Sequence, residues 1–195
     1  NLSVAYTIDV SRKDTSAIGF DLNAMGYAQL ITGNAQKAIN YYKESIDLLH
    51  QSSGNQSSLG TRYNNLGKAY MSLQKWDSAN VYIKKSIVEH EKNADSLNLV
   101  ERWISMADLF NKKSNYNEAL IWSNKAKSYF DKRPPSNQTV SVNFALIDSY
   151  IGLKQYALAM QLSNQNISLA NEFGLLPQLI RATQLKADLY ERNNQ

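Results

Sequence analysis

The chain has 195 residues, enough to bury a substantial core, and a formal net charge of +4 from 21 Lys and Arg against 17 Asp and Glu. It has no cysteine, which excludes disulfides and thiolate metal sites and fits a cytoplasmic or a periplasmic setting alike. No apolar run approaches the roughly 18 residues of a membrane span, and the lysines are spread along the chain rather than gathered into one basic stripe.

In chain order, Asn1 to Asp9 reads as a helix. Asp14, Thr15 and Ser16 then offer helix caps, followed by Ile18, Leu22, Met25 and Leu30 at helical intervals. Gly33-Asn34 tolerates turn geometry, and Ala38, Ile39, Tyr42, Ile46 and Leu49 begin a second amphipathic helix that closes at Ser52 to Gly54. The next pair spans Ser58 to Leu73 and Asp77 to Glu91, with a turn at Gln74-Lys75. A third spans Ser96 to Lys112 and Asn117 to Phe130, with a turn at Ser114-Asn115. Pro134-Pro135 forbids helix and forces an extended connection. A fourth pair runs Ser136 to Leu153 and Tyr156 to Phe173, ending at Gly174. Pro177 suits the first turn of a last helix carrying Ile180, Leu185, Leu189 and Tyr190.

These pairs repeat. Gly26, Gly67 and Ala107 stand 41 and 40 residues apart, Ala187 follows at twice 40, and Ile147 occupies the midpoint. The best copy is Tyr63-x-x-Leu66-Gly67-x-x-Tyr70 followed by Ala79. Others are Leu22-x-x-Met25-Gly26 before Ala38, Trp103-x-x-Met106-Ala107-x-x-Phe110 before Ala119, and Leu146-Ile147-x-x-Tyr150 before Ala159. Ala5 lies 40 residues before Ser45, which Ser86 and Ala126 follow at 41 and 40, so residues 1–13 read as the second helix of a preceding unit. The expected organisation is a single array: 1–13, full repeats at 14–54, 55–94, 95–134 and 135–175, and a further first helix at 176–195. An array that begins and ends mid-repeat suggests a longer one.

In phase, these residues resemble the tetratricopeptide repeat family, whose pattern is W-x2-L-G-x2-Y, then A-x3-F, then P. The resemblance implies an all-α fold, an α-α superhelix (solenoid) of stacked antiparallel helix pairs. Small residues let the paired helices approach, while Tyr63, Tyr70, Trp103, Phe110 and Tyr150 fill the space between units. The chain departs in its period, about six residues beyond the usual 34 or so as in arrays of bacterial regulators. Ser123 and Ser163 replace the aromatic and the closing proline is absent. Ile147 replaces the small residue, so packing there is expected to be looser or shifted.

The family's first helices line a concave groove, and the resemblance transfers that role to Asn23, Tyr27, Asn64, Asn65 and Lys68. In later units it falls to Ser105, Asp108, Asn111, Lys112, Asp148, Gln184 and Asp188. Asparagine both donates to and accepts from a peptide backbone, which suits capture of an extended peptide. Asp108, Asp148 and Asp188 recur at 40-residue intervals as an acidic ladder. Lys112 and Arg192, four residues on, partly neutralise two rungs, while Asp148 has Gly152 there. Asn64 and Lys68 would mimic half of a chaperone-type carboxylate clamp, but Glu101 and Ser105 stand where further cations are needed.

No constellation for catalysis, metal or a cofactor can be assembled, and His50 and His90 suit helix C-termini. Asn55-Gln56-Ser57, Asn137-Gln138-Thr139 and Asn166-Ile167-Ser168 match glycosylation acceptors, a pattern common by chance in an Asn- and Ser-rich chain. The expectation is a non-catalytic module binding a protein or peptide partner in its groove, in a finer form the sensory or regulatory segment of a bacterial signalling protein. The alternative is nucleic-acid binding by the basic convex second helices; were the groove not the partner site, the convex face around Lys125 and Lys127 would be next. Apolar stripes at Leu2/Tyr6 and Leu185/Leu189 are expected to be exposed and to favour self-association.

Overall fold

The computed structural model describes residues 2–51, 58–92, 96–131 and 133–193. The turn expected at Ser52 to Gly54, the triplet at Asn55 and the side chain of Lys132 lie outside them. Among the described residues there are ten helices and no strand. They are α1 (Leu2–Arg12), α2 (Thr15–Ile31), α3 (Ala35–Gln51), α4 (Leu59–Ser72), α5 (Trp76–Lys92), α6 (Ser96–Lys112), α7 (Tyr116–Phe130), α8 (Asn137–Gly152), α9 (Tyr156–Glu172) and α10 (Leu176–Asn193). Within α1 to α5 each helix packs on the next in the chain, and so it does within α7 to α10; the fold is all-α, a solenoid of antiparallel helix pairs. Caps set several starts. The Asp14 carboxylate accepts from the N–H groups of Ser16 and Ala17, at 3.1 and 3.0 Å. Ser136 N–H donates to Thr139 Oγ1 at 3.0 Å.

The contacts divide the chain into two compact units, Asn1–Arg102 and Trp103–Gln195. In the first, size complementarity closes each helix pair. A Cβ built on Gly26 would fall 2.6 Å from the Tyr42 ring, and one on Gly67 would fall 2.6 Å from Ile83 Cγ1. Glycine on the first helix is therefore what admits a large side chain from the second. A polar clasp accompanies it: Ser45 Oγ donates to the Gly19 carbonyl and Ser86 Oγ to the Gly60 carbonyl, each across 26 residues. Arg62, buried on α4, donates through Nε to Ser45 Oγ at 2.6 Å and so ties one pair to the next.

In the second unit the same register carries different residues. Asn166 Nδ2 donates to the Val140 carbonyl at 3.1 Å, again across 26 residues, and Asn143 donates to Asn166 Oδ1 at 2.9 Å. The core comprises Val140, Phe144, Ile147, Ala159, Ala182 and Leu189. Ile147 is fully buried, which sets aside the looser of the two alternatives, looser or shifted packing, expected there. At its register position on the second helix the side chain is small, Ser163, and also fully buried. Large and small have exchanged helices.

The stripe expected at Leu185/Leu189 is also corrected. Leu189 is fully buried and Leu185 half-buried, because that face of α10 packs on α9. The exposed apolar residues of α10 are Leu176, Ile180 and Tyr190. On α1 no residue is buried, and Leu2, Val4, Ile8 and Val10 are exposed.

The turn within each pair places one residue in the left-handed region: Gly33 (φ 82), Gln74 (φ 55), Ser114 (φ 57) and Lys154 (φ 59). Only the first is glycine.

Gly67→Leu should destabilise the protein by about 1–3 kcal/mol in chemical denaturation, since Ile83 and the α5 backbone leave no room. Adding Ile83→Ala should recover part of that loss, giving a double variant less destabilised than the sum of the singles. A second expectation concerns Asp21, whose buried carboxyl has an Oδ2 without a hydrogen-bond partner among the described residues. Burial, and next the charge and hydrogen bond of Asp9, raise its pKa. A raised folded-state pKa contributes stability that is present in acid and lost as pH rises through that pKa. Asp21→Asn should therefore raise Tm at neutral pH and give little gain near about pH 4. An equal gain at both would contradict this.

Candidate partner-binding surfaces

In the first unit, α2 and α4 position the expected residues differently from one another. Asn65 Nδ2 donates to Asn23 Oδ1 at 3.1 Å, so this pair is engaged between helices. Asn64 is not on the surface. It is 1% exposed, and its Oδ1 has no hydrogen-bond partner among the described residues, because its position on α4 faces the interior. Lys68 and Tyr27 are exposed. Tyr27 has company that the sequence reading missed: Phe20, Tyr27 and Ile31 are 67%, 57% and 66% exposed, at spacings of seven and four along α2. That spacing places them on one helix face. The signal was present as apolar residues outside the Ile18, Leu22, Met25, Leu30 pattern.

In the second unit, α6 and α8 bring Asp108, Asn111, Lys112 and Asp148 together, and α10 adds Arg181. With Tyr116 these residues line a cleft of about 390 Å³. Arg181 Nη2 donates to Asp148 Oδ2 at 2.9 Å, and its guanidinium lies 4.1 Å from the centroid of the Phe144 ring. The rung of the ladder that lacked a neighbour on its own helix thus takes one from the next first helix. Burial raises the Asp148 pKa, outweighing the opposing pull of Arg181 and Lys112. Asn111 is held at both ends. Its Nδ2 donates to the Ala145 carbonyl at 3.0 Å and its Oδ1 accepts from Ser149 Oγ at 2.9 Å. It is therefore a clasp between helices as well as part of the cleft wall. Tyr116 reaches the cleft because Gly152 has no side chain; a Cβ there would fall 2.3 Å from its ring. Ser105 is fully buried, while Gln184 and Asp188 are exposed on α10.

The remaining candidates separate in the same way. His50 Nε2 lies 3.2 Å from Tyr63 Oη. His90 is buried, and Arg102 Nη2, which can only donate, lies 3.2 Å from its Nε2, so that nitrogen accepts. Asn166 is fully buried and hydrogen-bonded, which removes it as a glycosylation acceptor. Among the described residues no group of three or more His, Cys, Asp or Glu could hold a metal ion, and no helix is long and apolar enough to cross a membrane.

No family model and no curated sequence matches the chain. Solved structures do. Nearly identical TPR-like repeats assigned to a kinesin light chain of Podosopora anserina align with a TM-score of 0.72 at 13% identity, over 92% of this chain and 88% of that one. BtubC from P. vanneervenii aligns with a TM-score of 0.69 at 15% identity, over 98% and 84%. The fold is a tetratricopeptide-like array. At these identities the likeness is one of fold.

Within this array Arg181 and Asp148 are 50% and 35% exposed, so water screens their attraction. A double-mutant cycle of Arg181→Ala with Asp148→Asn should give a coupling of no more than about 1 kcal/mol. A substantially larger coupling would show that the pair is a stability element rather than a surface one.

Proposed function

We propose that this chain is a non-catalytic scaffold that binds a peptide or protein partner on the faces of its first helices. The observation that carries this is which side chains those helices present at the surface. Phe20, Tyr27 and Ile31 on α2 are exposed together, and contiguous exposed apolar surface marks interaction sites. In the second unit the first helices instead present a charged cleft holding Asp108, Lys112, Asp148 and Arg181. Aromatic anchors and convergent charges are what a protein interface uses.

The basic outer helices support nucleic-acid binding less well. Lys85 lies 5.3 and 5.6 Å from the ring centroids of Tyr82 and Tyr63, and Lys125 lies 4.8 and 5.4 Å from those of Trp103 and Trp122. The lysines occupy the ring faces on which bases would stack. A finer form of the reading, the sensory or regulatory segment of a bacterial signalling protein, rests on the period of about 40 residues. An output domain such as a kinase in the same open reading frame would support it.

Panning a random displayed-peptide library against the chain tests the main reading. Selected peptides should lose about tenfold or more in affinity on Phe20→Ser/Tyr27→Ala or on Asp148→Asn/Arg181→Ala, with Tm shifted by only a few degrees. Peptides indifferent to both pairs of changes would place recognition elsewhere. Asn64 is unsuitable for this test, since a buried residue reports on stability.

A further inference from the structure

The second unit contains its own example of how its first-helix face holds a cation. Arg181 stacks on Phe144 and pairs with Asp148 on the preceding first helix. Shifted back by one 40-residue register, the three positions become Ser141, Ile104 and Asp108. The carboxylate is kept, the floor stays apolar with an aliphatic isoleucine in place of the phenyl ring, and the arginine is replaced by an exposed serine. At that place there is a cleft of about 350 Å³ lined by Ile104, Asp108, Ser141, Phe144, Pro177 and Arg181 among others.

Resting on the scaffold reading above, we infer that this cleft receives an arginine side chain of the partner, its guanidinium on Asp108 and its stem over Ile104. Three features favour it. A carboxylate has two oxygens and room for several donors, so a guest adds to whatever neighbours Asp108 already holds. Arg181 borders the cleft, but its charge is met by Asp148, and Lys112 lines the neighbouring cleft rather than this one. The guest pairs an apolar stem, which Ile104 can cover, with a planar fork that matches a carboxylate better than a compact ammonium does.

The probe is Nα-acetyl-arginine N-methylamide, which carries the guanidinium without backbone charges, titrated into the chain and followed by amide NMR shifts. Wild-type protein should show saturable shifts around Ile104, Asp108 and Ser141. Asp108→Asn should weaken binding by about tenfold or more. Ser141→Arg should abolish it by filling the cleft from within, as Arg181 does at its own register. The lysine counterpart should bind more weakly. No saturable binding, binding unchanged by Asp108→Asn or Ser141→Arg, or equal binding of the lysine compound would each overturn the assignment. The scaffold reading fails separately: displayed peptides indifferent both to Phe20→Ser/Tyr27→Ala and to changes on the Asp108 side, Asp148→Asn/Arg181→Ala included, would overturn it, whereas loss of arginine-compound binding alone overturns only this assignment.

Discussion

Two helices joined by a three-residue turn can lie close only if one of them is thin where they cross. Everything else in this chain depends on that constraint. Gly26 and Gly67 are thin on the first helix and accept Tyr42 and Ile83 from the second. In the fourth pair the volume moves to the first helix as Ile147, and the second helix carries Ser163. In these three pairs one large residue meets one small one, and which helix owns the large one changes, a swap that cores tolerate. The clasp follows the same logic. A serine or asparagine on the second helix reaches a first-helix carbonyl 26 residues back, whether that carbonyl belongs to Gly19, Gly60 or Val140.

Because the crossing and the clasp consume one face of every first helix, the other face is left to vary. It has done so along the chain. On α2 it is aromatic and aliphatic, whereas around α8 it is charged, with Asp148 and Arg181 joined over Phe144. A scaffold whose inner contacts repeat can change its outer chemistry from unit to unit without disturbing the fold. The proposed partner therefore has to match apolar surface at one place and charge at another.

Most of the architecture was legible in the sequence, because helix pairs stack in register and register survives as a period. The turns at Gly33, Gln74 and Ser114 and the break at Pro134-Pro135 were read correctly for that reason. Individual surface residues were less legible. Asn64 and Asn65 are neighbours of identical type, yet one is buried and the other bonds Asn23, since a helix turns about 100° per residue. Asn111 lines the cleft and also bonds two residues of α8, a second role that its own repeat does not record. Arg181 was overlooked because its partner is 33 residues away on another helix, a relation that no motif within a single repeat records.

The left-handed turn residues carry a last implication. Gln74, Ser114 and Lys154 hold a backbone that costs a residue with a Cβ about 1 kcal/mol, whereas Gly33 holds its own freely. The flanking helices impose the conformation whatever the side chain. Three adjustable handles therefore lie outside both the crossings and the first-helix faces. Glycine at one of them at a time would firm up a single hairpin and leave the others as they were. Hydrogen exchange on such variants would then reveal the order in which the hairpins open, and whether the chain comes apart from one end or from its middle.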